Sequence, residues 1–302
     1  MLFIKVKDSI NIWIFFSYIL IGEIFMKKIL LLFFLTIFSM YYTNVWVNIL
    51  REKDSLMQEI NANSFKYEVK SIDATIKDND IIIPGKYGKK INKKESYLNM
   101  KKYGTYNELL TVMTEVKPDI SVEDNYDKYI EKGNPLNKNI SLVFIVDDNI
   151  NQIIDILNTK KIVANIFIDG KYIKENENFI RTTNNQIELL SFNNKYEEDS
   201  FKVSLSYLKS LTGKDSHFCY TERKDEKILN LCKKLKLHVI KPYLVIENNL
   251  LYLLKKNINN GIVISIRINS ANIDDLSLGI DYIRRKGYEI VTLDDLINEN
   301  ID

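Results

Sequence analysis

Two hydrophobic patterns divide the chain. Residues 29–47 form an almost uninterrupted apolar run, whereas from residue 140 onward short apolar runs alternate with amphipathic segments. The first pattern has the length of a helix that crosses a bilayer. The second pattern is typical of buried strands that alternate with covering helices, and it predicts a parallel α/β sheet or barrel.

The clearest strand–helix–strand unit lies near the middle of the chain. Ser141–Val146 is a continuous apolar run, which is typical of a strand buried on both faces. Asp147 and Asp148 follow it, then an amphipathic segment around Ile153–Leu157, then a second apolar run at Ile162–Ile168. We interpret this order as a βαβ unit, in which a crossover helix joins two parallel strands.

The alternation continues to the carboxyl terminus and predicts about seven strands, a number that favours a closed barrel over an open sheet. In such folds the chemistry lies at the carboxyl ends of the strands, where Asp147 and Asp148 are expected. An Asp in this place is also a common helix N-cap, so the pair has a structural interpretation as well as a catalytic one.

The apolar run near the amino terminus has the features of an anchor. Lys27 and Lys28 precede it, which favours a cytoplasmic amino terminus and an extracytoplasmic body. No small-residue cleavage signal follows, so an uncleaved signal anchor is favoured over a cleaved signal peptide. We interpret residues 1–28 as an amino-terminal extension, of which residues 1–25 are not translated if Met26 is the true start. The alternative is a membrane hairpin, which would leave the body cytoplasmic.

Residues 48–137 are more polar and predict a membrane-proximal stalk and a small α+β region. Ser96–Lys102 and Tyr106–Met113 are predicted to be helical. The lysine-rich run Lys86–Lys102 is compatible with contact to anionic cell-wall polymer or lipid headgroups, although a solvated surface is the simpler interpretation.

Composition limits the function classes. The formal net charge is only +2, which gives no argument for nucleic-acid binding. The two cysteines, Cys219 and Cys232, do not make a disulfide framework.

Several segments of residues 138–302 resemble the polysaccharide deacetylases, the NodB-homology carbohydrate esterases. SLVF with the following Asp pair resembles the strand that carries T-F-D-D-G in that family. DILNTKKIVANIFIDG resembles D-I-L-K-K-x-x-V-K-A-T-F-F-x-x-G, and GIDYIRRKGYEIVTLDDLI resembles the closing helix and strand. The resemblance implies a distorted (β/α) barrel and activity on N-acetylglucosamine-type polysaccharide or peptidoglycan.

The resemblance also implies a metal site that this sequence does not retain. Family members bind zinc through one Asp and two His, and a second Asp is the general base. Leu190 and Asn194 stand at the two His positions. Leu has no lone pair, and an amide is a poor zinc ligand beside imidazole. The spacing of the Asp pair also differs from the family motif, in which an Asp follows the Phe directly, because Asp147 lies three residues after Phe144.

Two further family loops are altered. The R-P-P-Y-G loop matches roughly Cys219–Arg223, so Tyr220, Glu222 and Arg223 are expected near the old substrate groove. The late L-x-H falls near Ile266 and Arg267. Arginine stays charged and cannot shuttle a proton, but it could pair with an Asp of the pair across the barrel mouth.

Two alternatives for the cysteines stay open. His217 and Cys219 lie two apart on a predicted strand and, with Asp147, would make a rebuilt three-ligand metal set. A Cys219–Cys232 disulfide is compatible with an extracytoplasmic location. Against the disulfide, the antiparallel course of the helix is expected to place Cys232 far from Cys219.

These observations predict a single-pass cell-membrane protein whose extracytoplasmic deacetylase-like barrel is catalytically inactive and acts in cell-wall glycan binding or envelope assembly. Its expected partners are peptidoglycan or another cell-wall glycan and the membrane, with no nucleic acid and no cofactor. The alternative is an active metal-dependent deacetylase that holds zinc in a rearranged site. A structural envelope protein without glycan affinity is the third interpretation.

Overall fold

The structure is a computed structural model that describes residues 2–146 and 150–301, with side chains described from residue 27 onward in these ranges. The chain divides into two compact units. One contains Met1–Tyr67 and Ile91–Met113, and the other contains Glu68–Lys90 and Thr114–Asp302.

The first unit is helical. Helix α1 (Leu2–Glu52) contains Lys27–Glu52, a segment of mean hydropathy 1.6 that is long and apolar enough to cross a membrane. Helix α2 (Ser55–Ser64) begins at Asp54, whose side chain accepts a hydrogen bond from the backbone N–H of Leu56. Helix α3 (Lys93–Lys101) packs against α2 around Met57, Ile60, Tyr97 and Met100.

The predicted helix at Tyr106–Met113 is wrong. Only Glu108–Leu110 forms a single 3-10 turn, capped by the side chain of Asn107, and the chain then extends from Thr111 onward. Asn favours such capped turns because its side chain competes for backbone groups, and an isolated turn without an apolar face to bury does not propagate.

The strands and later helices are as follows. The strands are β1 (Thr75–Lys77), β2 (Ile81–Ile83), β3 (Gly88–Ile91), β4 (Met113–Val116), β5 (Tyr129–Ile130), β6 (Asn139–Ile145), β7 (Asn165–Asp169), β8 (Gln186–Ser191), β9 (Phe218–Tyr220), β10 (His238–Ile240), β11 (Leu244–Ile246), β12 (Val263–Ile266) and β13 (Glu289–Ile290). The helices are α4 (Ile150–Lys160), α5 (Gly170–Glu175), α6 (Glu177–Thr182), α7 (Glu198–Thr212), α8 (Glu226–Lys234), α9 (Leu250–Asn257), α10 (Ser270–Arg285) and α11 (Leu293–Ile297).

The larger unit is built around two sheets. One has the order β11-β12-β6-β7-β8, with β13 paired to β6, and all of its pairs are parallel. The other has the order β1-β2-β5-β10-β9 and is parallel except for the β1–β2 pair. The terminal strands β8 and β9 lie next to each other, which curves the two sheets into a distorted barrel.

The predicted βαβ unit is confirmed as β6, α4 and β7, with Phe144 paired to Ile166 and Ile145 to Phe167. Because successive strand residues point to opposite faces, Phe144 and Ile166 pack under the helices, while Val143 and Phe167 fill the barrel. The β11–α9 pair, which lies between β10 and β12 in the chain, was not predicted from the sequence.

Candidate functional site

The candidate site lies at the carboxyl ends of the parallel strands, where the barrel opens. The predicted catalytic residues Asp147 and Asp148 follow β6 but lie outside the described residues. The described mouth is formed by the ends of β7, β8, β9 and β12 and by the loops that follow them.

Asp169, the last residue of β7, organises one side of the mouth. One carboxylate oxygen accepts hydrogen bonds from the backbone N–H groups of Lys171 (2.8 Å) and Asn193 (2.9 Å). The other accepts from the Ser191 hydroxyl (2.6 Å) and the Asn194 N–H (3.1 Å). Although burial opposes ionisation, these hydrogen bonds hold the pKa of Asp169 below its usual range. Asp169 therefore caps α5 and fixes the turn after β8.

The turn after β8, where the resemblance in sequence predicts the histidine loop, is a tight hairpin. Phe192 and Lys195 exchange both backbone hydrogen bonds, and Asn193 and Asn194 between them have φ values of 53° and 60°. Two left-handed residues in a two-residue loop define a type I′ turn, which favours Asn and Gly. The Asn-Asn pair in the sequence was the signal for this turn, which the sequence analysis did not use.

The residues at the two histidine positions do not fit a zinc ion. Leu190 packs against the apolar cluster inside the barrel, and the Asn194 backbone is committed to the hairpin through Asp169. The Asp169 carboxylate already accepts four hydrogen bonds, three from Ser191, Asn193 and Asn194 and one from the first turn of α5. In the described part of the chain, no group of three or more His, Cys, Asp or Glu residues is placed to hold a metal ion.

Tyr220 fills the barrel beneath the mouth. Its side chain is only 3% exposed, its ring lies 5.3 Å from that of Phe167, and its hydroxyl lies 2.8 Å from the Ser265 hydroxyl. Burial raises the pKa of Tyr220, so the phenol stays protonated. The place of Tyr220 in a substrate groove and its contact with a ligand stay predictions.

Glu222 and Arg267 form an ion pair at the rim. Arg267 Nη2 lies 2.6 Å from Glu222 Oε1, and the Arg267 side chain is 46% exposed. Glu222 shares the rim with Arg267 because β9 and β12 end at the same edge. The expected pairing of Arg267 with Asp147 or Asp148 lies outside the described residues. Arg223 is exposed, and its carbonyl accepts a hydrogen bond from the Thr221 hydroxyl. The roles of these residues in binding stay predictions.

Cys219 and Cys232 form a disulfide, with Cα atoms 6.4 Å apart. The expectation that Cys232 lies far from Cys219 along the barrel was wrong. Helix α8 begins several residues after Cys219, and its rise of about 1.5 Å per residue brings Cys232 back level with the strand. The disulfide also excludes the rebuilt metal set of His217, Cys219 and Asp147, since no thiolate remains. His217 Nδ1 instead lies 2.9 Å from Asp294 Oδ1, a contact that raises the pKa of His217.

Glu188, which the sequence analysis missed, closes the seam between the two sheets. This buried carboxylate on β8 accepts hydrogen bonds from the Ser216 hydroxyl and from the backbone N–H groups of His217 (3.0 Å) and Phe218 (3.2 Å). Gln186 also donates to it, at 2.7 Å. Burial raises the pKa of Glu188 to about 7, although the hydrogen bonds from Ser216 and Gln186 oppose the shift. A lone Glu inside the apolar run QIELLS was its sequence signal.

Comparison with solved structures places this architecture in a known fold class. A CE4 family pseudoenzyme from Bacillus anthracis has a TM-score of 0.61 and 20% sequence identity, over 82% of this chain and 97% of that chain. A mutant of a CE4 family pseudoenzyme with restored enzymatic activity gives the same score and identity, over 100% of its chain. Bacillus subtilis PdaA, a family 4 carbohydrate esterase, has a TM-score of 0.50 and 18% identity, over 57% of this chain and 86% of that chain.

The chain therefore has the fold of the family 4 carbohydrate esterases, the polysaccharide deacetylases, and the predicted fold class is confirmed. Among curated proteins, an uncharacterized protein of Bacillus subtilis (strain 168), YlxY, is 30% identical over 133 residues. That match spans 43% of this chain and 42% of the length of the relative. No family model matches the sequence.

Proposed function

We propose that this protein is anchored in the cell membrane and uses its extracytoplasmic deacetylase-like barrel to hold a cell-wall glycan without hydrolysing it. The observation that carries the proposal is the replacement of the family's two His positions by Leu190 and Asn194, with Asn194 fixed in a type I′ turn. Without imidazole ligands there, the barrel lacks the usual means of polarising an acetamide carbonyl.

Two observations support the extracytoplasmic placement. Helix α1 contains an apolar segment of spanning length, preceded by Lys27 and Lys28. The buried Cys219–Cys232 disulfide is a bond that persists mainly in oxidising compartments.

The rim offers groups suited to a carbohydrate. The Glu222 carboxylate and the Arg267 guanidinium are partly exposed and can accept from and donate to sugar hydroxyl and acetamide groups. Tyr196 adds a partly exposed aromatic side chain, and it lies close enough to Asp169 and Asp225 for their charges to raise its pKa. The bound glycan would lie over the apolar floor made by Leu190 and Tyr220.

The proposal is tested by measuring binding and hydrolysis on the same sample. Full-length protein in detergent micelles is sedimented with purified peptidoglycan, and released acetate is assayed with and without a chelator. We expect binding that survives the chelator and no acetate. Arg267→Ala is expected to weaken binding about tenfold, or ~1.4 kcal/mol. Lys209→Ala, which breaks the exposed pair with Asp215 on another part of the barrel, is the matched control.

Two results would contradict the proposal. Chelator-sensitive acetate release would show an active deacetylase with a rearranged zinc site. Absence of binding, together with equal behaviour of the Arg267→Ala and control variants, would leave a structural envelope protein.

A further inference from the structure

Helix α3 lies beside the end of the candidate membrane span. The apolar run ends at residue 47, so Arg51 lies about 6 Å further along α1, within the headgroup layer of a bilayer. The Arg51 guanidinium lies 5.7 Å from the centre of the Tyr97 ring in α3. The Tyr97 hydroxyl donates to Asp54 at 2.7 Å, which holds α3 against the start of α2. If α1 crosses the membrane, α3 lies at its surface.

The charge exposed on this segment is positive. Ile91–Met113 contains four lysines, at positions 93, 94, 101 and 102, against Glu95 and Glu108. Glu108 accepts a hydrogen bond from the Tyr67 hydroxyl. Lys101 Nζ lies 5.2 Å from the Tyr97 ring centre. The pKa of Asp54 is lowered by the hydrogen bonds from Tyr97 and Leu56 and also by the positive charge of Lys101. Lys101 therefore lies on the side of α3 that reaches the start of α2.

Large apolar side chains are exposed among these lysines. Leu98 is 48% exposed, Tyr103 in the turn after α3 is 69% exposed, and Leu109 is 91% exposed. Lys94, Leu98 and Lys101 follow the spacing of one helix face. Basic and apolar side chains on a common face are typical of segments that lie in the interfacial plane of anionic membranes.

We propose that Lys94, Leu98, Lys101, Lys102, Tyr103 and Leu109, which we call the α3 surface, dock on the anionic lipid headgroups of the membrane that α1 crosses. The inference rests on the proposed membrane anchoring. Lysine ammonium groups pair with lipid phosphates, while the apolar side chains enter the boundary between headgroups and acyl chains. The contact would hold α3 against the bilayer surface.

The test uses spin labels on the full-length chain reconstituted into vesicles. Both native cysteines are joined in the buried disulfide, so an added cysteine is the single reactive thiol. Tyr103→Cys reports on the α3 surface. Val203→Cys, exposed on α7, is the aqueous control, and Phe38→Cys, within the apolar run, is the membrane control. The depth of each label is read from its accessibility to oxygen relative to a water-soluble nickel complex.

In vesicles of phosphatidylglycerol and phosphatidylcholine, we expect the label at 103 to favour oxygen, as the label at 38 does. Two changes are expected to raise the nickel accessibility of the label at 103 toward that of the label at 203. One is the replacement of Lys94, Lys101 and Lys102 by Glu, and the other is the use of vesicles of phosphatidylcholine alone. If the label at 103 has the same accessibility as the label at 203 in anionic vesicles, the proposed docking of the α3 surface is wrong, while the membrane anchor is unaffected. A label at 38 that favours nickel would overturn the anchor itself.

Discussion

Replacing Glu188 by Gln should change how the stability of the protein depends on pH. Glu188 lies at the seam between β8 and β9, where it accepts hydrogen bonds from Ser216, His217 and Phe218. Gln keeps the shape and one acceptor oxygen but does not titrate. The comparison of wild type with Glu188→Gln therefore isolates the protonation of this one side chain.

The expected magnitude follows from the pKa. Burial raises the pKa of Glu188 from 4.5 to about 7. Below the pKa of Glu188 in the unfolded chain, this carboxyl is protonated in both the folded and the unfolded state, and its contribution to the free energy of unfolding is fully present. As pH rises toward the pKa in the folded state, the carboxyl ionises first in the unfolded chain, and that contribution is lost. At ~1.4 kcal/mol per pKa unit, the free energy of unfolding of wild type should fall by about 3 kcal/mol relative to Glu188→Gln.

The assay is urea unfolding of the full-length chain in detergent micelles, followed by circular dichroism at about pH 5 and about pH 8. Glu226→Gln, at an exposed position at the start of α8, is the matched control for the same change of side chain at the surface. A constant difference between wild type and Glu188→Gln across this pH range would refute the assignment of a raised pKa to the buried carboxyl.

Three further predictions concern other parts of the barrel. Cys232→Ser removes the crosslink between β9 and α8. Because the two cysteines lie 13 residues apart in the sequence, losing the loop that they close should lower the free energy of unfolding by ~3 kcal/mol in urea titrations. Asp294→Asn should return the pKa of His217 toward its ordinary value in an NMR titration of the imidazole, since the hydrogen bond to Asp294 raises that pKa; an unchanged titration would contradict the pairing. Leu190→His combined with Asn194→His should still not hold stoichiometric zinc, measured by metal analysis, because position 194 is fixed in a left-handed turn.

The parallel core was predictable because its physical signals are local. Strands buried on both faces need continuous apolar runs, and Ser141–Val146 and Ile162–Ile168 provide them directly beside an amphipathic helix. The Tyr106–Met113 segment shows the limit of such patterns. It has helix-forming residues, yet Asn107 caps only one turn there.

The side-chain arrangement at the mouth was less predictable because it depends on contacts between distant parts of the chain. Arg267 was placed at the mouth by its position after a strand, but its partner Glu222 comes from another strand end. Asp169 draws its donors from both its own helix and the turn after β8, and nothing in its immediate sequence specifies that network. The disulfide likewise depended on how far α8 returns along β9.

The central claim is that the barrel keeps the deacetylase fold without the metal chemistry. The most direct test is the zinc content of the full-length protein, purified in detergent and dialysed against trace zinc. The account predicts close to no zinc per chain. One tightly held zinc per chain, removed by a chelator together with acetate release, would contradict it and would point to ligands outside the Leu190 and Asn194 positions.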